Sequence, residues 1–349
     1  MSLHVSGASY GAISDGNPFN AARTEPDVGR LELLLNTSAR TFDERVALEA
    51  QLFIFREASD LDFFNAQIDY AFGELRLSDG LRLRAGAPKL PFGLLNETRN
   101  VAIVRLLPDI SGVYSNLGFL TENYQGIGAV GRVDFDRFGV VWDVYGGWAT
   151  SSYVRPWYGV VQDQSPSMAG ARALFELPWP GVTVATSMAL TFDGSVRDGT
   201  SLGRVMLGAS GELRDEIVTL RSEVFLGNEF EQFGRPDVQL IQSYLEAGAR
   251  PVPFIELAVR GEFAGARVLN PTPTLVVPQP TSPLPTRHVS GEAGVTWWPD
   301  PRLAIRTSVQ IIEGNMYVNG HGRDGVVLLP QTELSPVTRL GQISAAFAF

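Results

Sequence analysis

The residues of this chain best placed to do chemistry are arginines set two apart. Arg82 and Arg84 alternate with Leu81, Leu83 and Ala85, so an extended segment has one cationic face and one apolar face. Arg132 stands in a second segment of the same kind. Between the two lies 88–124, which does not alternate and carries Lys89, Glu97, Arg99, Arg105 and Asp109. Charges of both signs facing one another across water set up a transverse field, which orders polar solutes and biases ion selectivity. The plain alternative is that such charges solubilise a wet interior or pair across strands and rigidify a wall.

Covalent chemistry finds little support. There are three histidines and no cysteine. Without cysteine there are no disulfides, thiol nucleophiles or thiolate metal sites, and the chain suits export through an oxidising compartment. His288 and Ser290 alternate with Val289 and Gly291, so they share the polar face of their segment with no sign of catalytic use. Asp60 with Asp62, and Asp134 with Asp136, read as charged turn residues rather than a cation site. No phosphate loop and no His-Glu-x-x-His helix appears, and no cofactor is expected. The net charge of −10 argues against nucleic acid as a partner.

The elements that must position these residues are strands. Mean hydropathy is only +0.03, and no run approaches the roughly 18 apolar residues of a membrane helix. Strands of a membrane barrel are only about half apolar, so this composition fits one. Sixteen period-two segments are expected near 2–12, 29–39, 44–56, 62–74, 80–87, 125–135, 138–150, 167–177, 181–193, 201–213, 216–228, 238–250, 254–267, 287–298, 301–314 and 337–349. Every second connection is short and built of turn residues, such as Ser78-Asp79, Asp136-Arg137, Pro178-Trp179-Pro180 and Pro299-Asp300. The intervening ones are longer, among them 88–124, 151–166, 268–286 and 315–336. That alternation, an even strand number and aromatics near strand ends (Trp148, Trp157, Trp179, Trp297, Trp298) predict an all-β transmembrane antiparallel barrel occupying 1–349 as one domain. Strict alternation puts Phe64, Ala66, Ile68, Tyr70 and Phe72 on the lipid side, with Asn65, Gln67 and Asp69 inside.

The long 88–124 segment is the third external connection of such a barrel. Connections this long tend to be functional. Its apolar residues Leu94, Leu95, Val101, Ile103, Val104, Leu106 and Leu107 need a surface to rest on, so the segment is expected to fold into the bore. There it would narrow the pore, leaving Arg99 or Arg105 near the opening, with Phe92, Tyr114 and Phe119 pinning it to the wall. The predicted constriction set is Arg82, Arg84, Lys89, Glu97, Arg99, Arg105, Asp109 and Arg132.

The run Gly86-Ala-Pro-Lys-Leu-Pro-Phe-Gly-Leu-Leu-Asn-Glu-Thr-Arg99 resembles the phosphate-selective porin-like family of bacterial outer-membrane proteins. Lys89, Pro91, Phe92, Gly93, Asn96 and Glu97 stand at the matching positions, over about 20 residues. The resemblance implies a trimeric sixteen-stranded porin for small anionic solutes, whose third loop constricts the pore. The chain departs from the family in lacking a lysine cluster, since Lys89 is its only lysine. The final Ile343-Ser-Ala-Ala-Phe-Ala-Phe349 resembles the C-terminal signal read by the barrel-assembly machinery. The opening MSLHVSGASYGA has no basic region followed by an apolar core, so the chain reads as a mature exported form. The expected setting is the outer membrane, among lipid and lipopolysaccharide, with small hydrophilic solutes diffusing through. The rival reading is a closed-barrel surface protein, an adhesin or membrane enzyme, for which about 8–12 strands and a filled interior would be usual.

Overall fold

The computed structural model describes residues 2–14, 27–41, 45–57, 65–114, 121–149, 153–155, 160–162, 167–192, 202–231, 238–268, 287–314, 321–322, 325–326 and 337–349. Five strands precede the long connection: β1 (Ser2–Ser14), β2 (Asp27–Thr41), β3 (Val46–Glu57), β4 (Asn65–Ser78) and β5 (Leu81–Ala87). After it come β6 (Tyr124–Asp134), β7 (Gly139–Ala149), and the short hairpin of β8 (Tyr153–Arg155) and β9 (Val160–Gln162). The wall continues through β10 (Ser167–Glu176), β11 (Val182–Phe192), β12 (Leu202–Arg214), β13 (Val218–Glu231) and β14 (Val238–Val252). It ends with β15 (Ile255–Val268), β16 (Arg287–Asp300), β17 (Leu303–Gly314), the hairpin of β18 (His321–Gly322) and β19 (Gly325–Val326), and β20 (Val337–Ala348).

The sixteen long strands close into one barrel in sequence order, each antiparallel to its neighbours. Closure is made by β1 and β20, from Ser6↔Ala348 to Ser14↔Leu340. Val5 and Phe349 exchange both backbone hydrogen bonds, at 2.9 and 2.7 Å. Among the described residues no helix is long and apolar enough to cross a membrane.

Period-two patterning decides the two faces, and they are inverted relative to a soluble protein. Ile68, Ile127 and Val309 point outward at 62–69% exposure, whereas Arg306 and Glu223 point inward at 1%. Soluble monomers rarely expose apolar patches beyond a few hundred Å², and here the outward apolar side chains recur on strand after strand. Such a surface needs a hydrocarbon solvent.

Two side-chain assignments differ from those expected, the first through a break in alternation and the second at a rim aromatic. The pairing of β3 with β4 shifts register between Gln51 and Leu52, which leaves Asp69 unpaired between Ile68 and Tyr70. One extra residue flips the parity of every later position on its strand. Ile68 therefore faces out, but Tyr70 and Phe72 face in: the Tyr70 hydroxyl donates to Asn36 at 3.1 Å, and Arg84 lies over the Phe72 ring at 5.3 Å. Trp298 is likewise inside, its indole nitrogen donating to Glu256 at 3.0 Å, while its neighbour Trp297 is outside and half exposed. Phe64, Asp60, Asp62, Phe119, Trp157 and most of the long connections lie outside the described residues.

Candidate functional site

The segment 88–124 enters the barrel, and its geometry begins at a neck. β5 leaves the wall at Gly86, whose φ of +130° suits glycine. Lys89 then bridges back to Asn123, so the two ends of the segment run side by side. Lys89 is buried, 2.5 Å from Asp69 and paired also with Glu122. Arg99 reaches Glu122 at 2.8 Å, and the Asn100 amide donates to Asp69 at 2.9 Å and to Glu122 at 2.5 Å. Asn96 donates to the carbonyl of Leu90 at 2.8 Å. Burial pushes the Glu122 carboxyl up, but Arg99 and Lys89 outweigh it and hold the group down at about 2. Asp69, the unpaired residue of the β4 bulge, points into this neutral knot of two cations and two carboxylates.

Beyond the neck, the segment is seated on the inner face of β10 to β20 and of β1. Phe92 is fully buried against the Phe225 ring, 5.2 Å between centroids, and Tyr114 packs on Phe225 and Tyr244. Glu223 on β13 collects four donors: Tyr114 at 2.6 Å, Tyr244 at 2.5 Å, Ser210 at 2.7 Å and the backbone N–H of Leu94 at 2.8 Å. Burial, and after it the Glu223 charge, hold the Tyr114 hydroxyl well above its ordinary range. Gly93 has φ +65°, and a Cβ there would lie 2.4 Å from both Glu223 and the Tyr114 hydroxyl. Only glycine fits.

Further along, Ile103 packs beside Ala8 and Ala346 and accepts a hydrogen bond from Arg306 at 3.0 Å. Leu106 and Leu107 bury themselves against Ala258, and Thr296 donates to the Leu106 carbonyl at 3.3 Å. Arg260 donates to the carbonyl of Asp109 at 3.0 Å, and the N–H of Gly112 donates to Glu262 at 3.2 Å. The apolar residues expected to rest on the wall mostly do so, but Val104 stays 38% exposed.

The predicted site residues fall into three groups. Lys89 and Arg99 belong to the neck. Glu97, Arg105 and Asp109 serve the seat: Glu97 meets Arg172 at 2.6 Å, Arg105 meets the Tyr10 hydroxyl at 2.5 Å and Glu32 at 3.8 Å, and the Asp109 side chain caps its neighbour's N–H at 2.8 Å. Arg99 and Arg105 thus turn into protein rather than toward open space. Arg82, Arg84 and Arg132 face inward on the arc from β2 to β6. Glu74 takes Arg84 at 2.9 Å and Arg82 at 3.4 Å, and Arg132 sits at the short-turn rim between Asp134 (2.8 Å) and Glu176 (2.6 Å).

That arc also holds residues missed from sequence. A cavity of about 250 Å³ at the short-turn end is lined by Arg40, Arg45, Ala47, Glu74, Arg76, Asp79 and Arg82. Four arginines face two carboxylates there, Arg76 with Asp79 at 2.8 Å and Arg82 with Glu74. Strict alternation on β4 sends Glu74 and Arg76 to the lipid side with Phe72, and the bulge at Asp69 brings all three in. Two charges on a nominal lipid face were the available signal.

No protein-family model matches the chain, and no curated protein matches it. In fold it is similar to the outer-membrane barrels of porins. The trimer form of OmpT, an outer membrane protein of Vibrio cholerae, is 8% identical with a TM-score of 0.62, over 100% of this chain and 98% of the other. OmpF of Salmonella typhi, in complex with daunomycin, is 10% identical with a TM-score of 0.61, over 100% and 97%. An anion-selective porin from Comamonas acidovorans is 11% identical with a TM-score of 0.58, over 100% and 99%. The chain has general porin architecture; these likenesses do not extend the resemblance of its 86–99 motif to the phosphate-selective family.

Proposed function

We propose that this chain is an outer-membrane porin, one barrel that lets small hydrophilic solutes diffuse down their gradients, with no cofactor and no covalent step. The observation that carries this is the asymmetry of the bore. The 88–124 segment covers the inner face of β10 to β20 and of β1, whereas inward side chains from β2 to β5, among them Asn36, Arg40, Glu74, Arg76, Arg82 and Arg84, keep part of their surface open. A passage confined between that segment and an arginine-rich arc is narrow on one side and positive on the other. Selectivity is set at the narrowest point, since charges beyond about 8–10 Å are screened at physiological salt. The arc therefore favours small anions despite the overall −10. The short turns and both termini face the periplasm, the long connections face outward, three copies assemble, and β20 with Phe349 is the part read by the assembly machinery.

Recording from planar bilayers tests the reading. Removal of 98–112 should raise the single-channel conductance, and replacing Arg40, Arg76 and Arg82 by Ala should move the reversal potential in a KCl gradient toward cations. A protein that produces no conductance steps is not a porin. Orientation is checked with an impermeant thiol reagent on intact cells, where cysteine at Thr274 should react and cysteine at Asp300 should not.

A further inference from the structure

Inward positions of a water-filled barrel are ordinarily polar, yet Tyr70 and Phe72 on the open arc point inward. The bulge at Asp69 puts them there. Their ring centroids are 5.8 Å apart and the planes are tilted by 42°. The hydroxyl of Tyr70 is tied to Asn36 at 3.1 Å, which holds its ring in place. Neither ring belongs to the buried apolar clusters that seat the 88–124 segment, and both keep part of their surface open. Packing under the segment therefore does not account for them.

A cation stands directly beside these rings. The Arg84 guanidinium lies over Phe72, 5.3 Å from the ring centroid. Glu74 takes Arg84 at 2.9 Å and Arg82 at 3.4 Å. Two guanidiniums thus share one carboxylate, and the group keeps a net positive charge. The Arg82 and Arg84 side chains are 42% and 20% exposed, so a solute in the passage can reach both. The described part of the segment sets no exposed acid against them. Its most exposed residues are Thr98 and Val104, and Glu97 is engaged with Arg172.

We propose that this arc is a selective site for aromatic carboxylates, with the ring on Tyr70 and Phe72 and the carboxylate on Arg84 and Arg82. The inference deepens the porin reading and rests on it. A guanidinium fork matches the two oxygens of a carboxylate. A flat ring placed against Phe72 leaves water and gains an aromatic contact. An inorganic anion gains only the first of these and a neutral arene only the second. In an arene carboxylate one bond joins the two groups, and Arg84 stands one ring's reach from the Phe72 centroid.

The test is ligand-observed saturation-transfer NMR on the purified, folded full chain in detergent, with benzoate, acetate and benzyl alcohol as probes. Benzoate should bind about fivefold more tightly than either of the others. In planar bilayers the same series should interrupt the chloride current in the same order. Phe72→Leu should lower the benzoate-to-acetate affinity ratio about fivefold, and Arg84→Gln should weaken both anions together. Each ratio is taken on one preparation, and the wild-type series decides the matter if a variant fails to fold. Equal binding of benzoate and acetate by wild type overturns the inference, as does a folded Phe72→Leu protein with an unchanged ratio. Conductance without a benzoate preference sinks the site and spares the porin reading; benzoate binding without conductance does the reverse.

Discussion

The two arcs of the inner wall use the same residue types for different ends. Behind the folded-in segment, from β10 to β17, three buried arginines are closed by carboxylates: Arg172 by Glu97 and Asp143, Arg221 by Glu212 and Glu246, Arg260 by Glu246, Glu262 and Glu292; Arg306 is held instead by the Ile103 carbonyl and the Trp298 ring. On the open arc, Arg82 shares Glu74 with Arg84 and remains 42% exposed. An arginine under the segment is a structural cation, since a buried charge must be paired. An arginine on the open arc sits in water and can attract a passing solute. Charge inside a barrel says little until one knows what covers it.

The contrast between the arcs breaks most directly at Arg260. Its loss strips the cation from three buried carboxylates, and refolding titrations in lipid should show a cost of about 3–5 kcal/mol. Next comes the lipid face. Ile68→Arg should cost about 2–4 kcal/mol if that depth is near the midplane. Tyr70→Arg, two residues on, should cost only about 1 kcal/mol for its lost hydrogen bond, because the bulge turns position 70 inward; equal costs would restore strict alternation. A smaller effect is expected at the neck. Glu122 titrates at about 2 in the folded protein against 4.5 ordinarily. Its contribution is therefore complete above about 4.5 and lost as pH falls toward 2. The stability gap between wild type and Glu122→Gln should close across that window, and a gap independent of pH would show that Glu122 is not held as a charged group. The smallest effect belongs to the open arc. Arg82→Ala should change stability by about 1 kcal/mol or less. A loss matching that of Arg260→Ala would erase the distinction between the arcs.

The number of long strands, their order, the alternation of short and long connections, and the inward parity of most charges were all legible in the sequence. These are local properties: a period of two and a turn can be read from a handful of consecutive residues. The sequence also marked 88–124 as the segment that enters the bore, because an apolar stretch of that length between wet strands has no other surface to rest on. The remainder needed the closed barrel. A single unpaired residue at Asp69 reversed the parity of β4 and brought Tyr70, Phe72, Glu74 and Arg76 inside, and no local pattern announces a bulge set by the register of a neighbouring strand. The seat of the segment joins Leu94 to Glu223, 129 positions apart. The division between paired and open arginines followed from where that seat fell. Partners so distant meet only because the barrel closes, so which cations are spent inside the wall and which face the passage is a property of the closed ring.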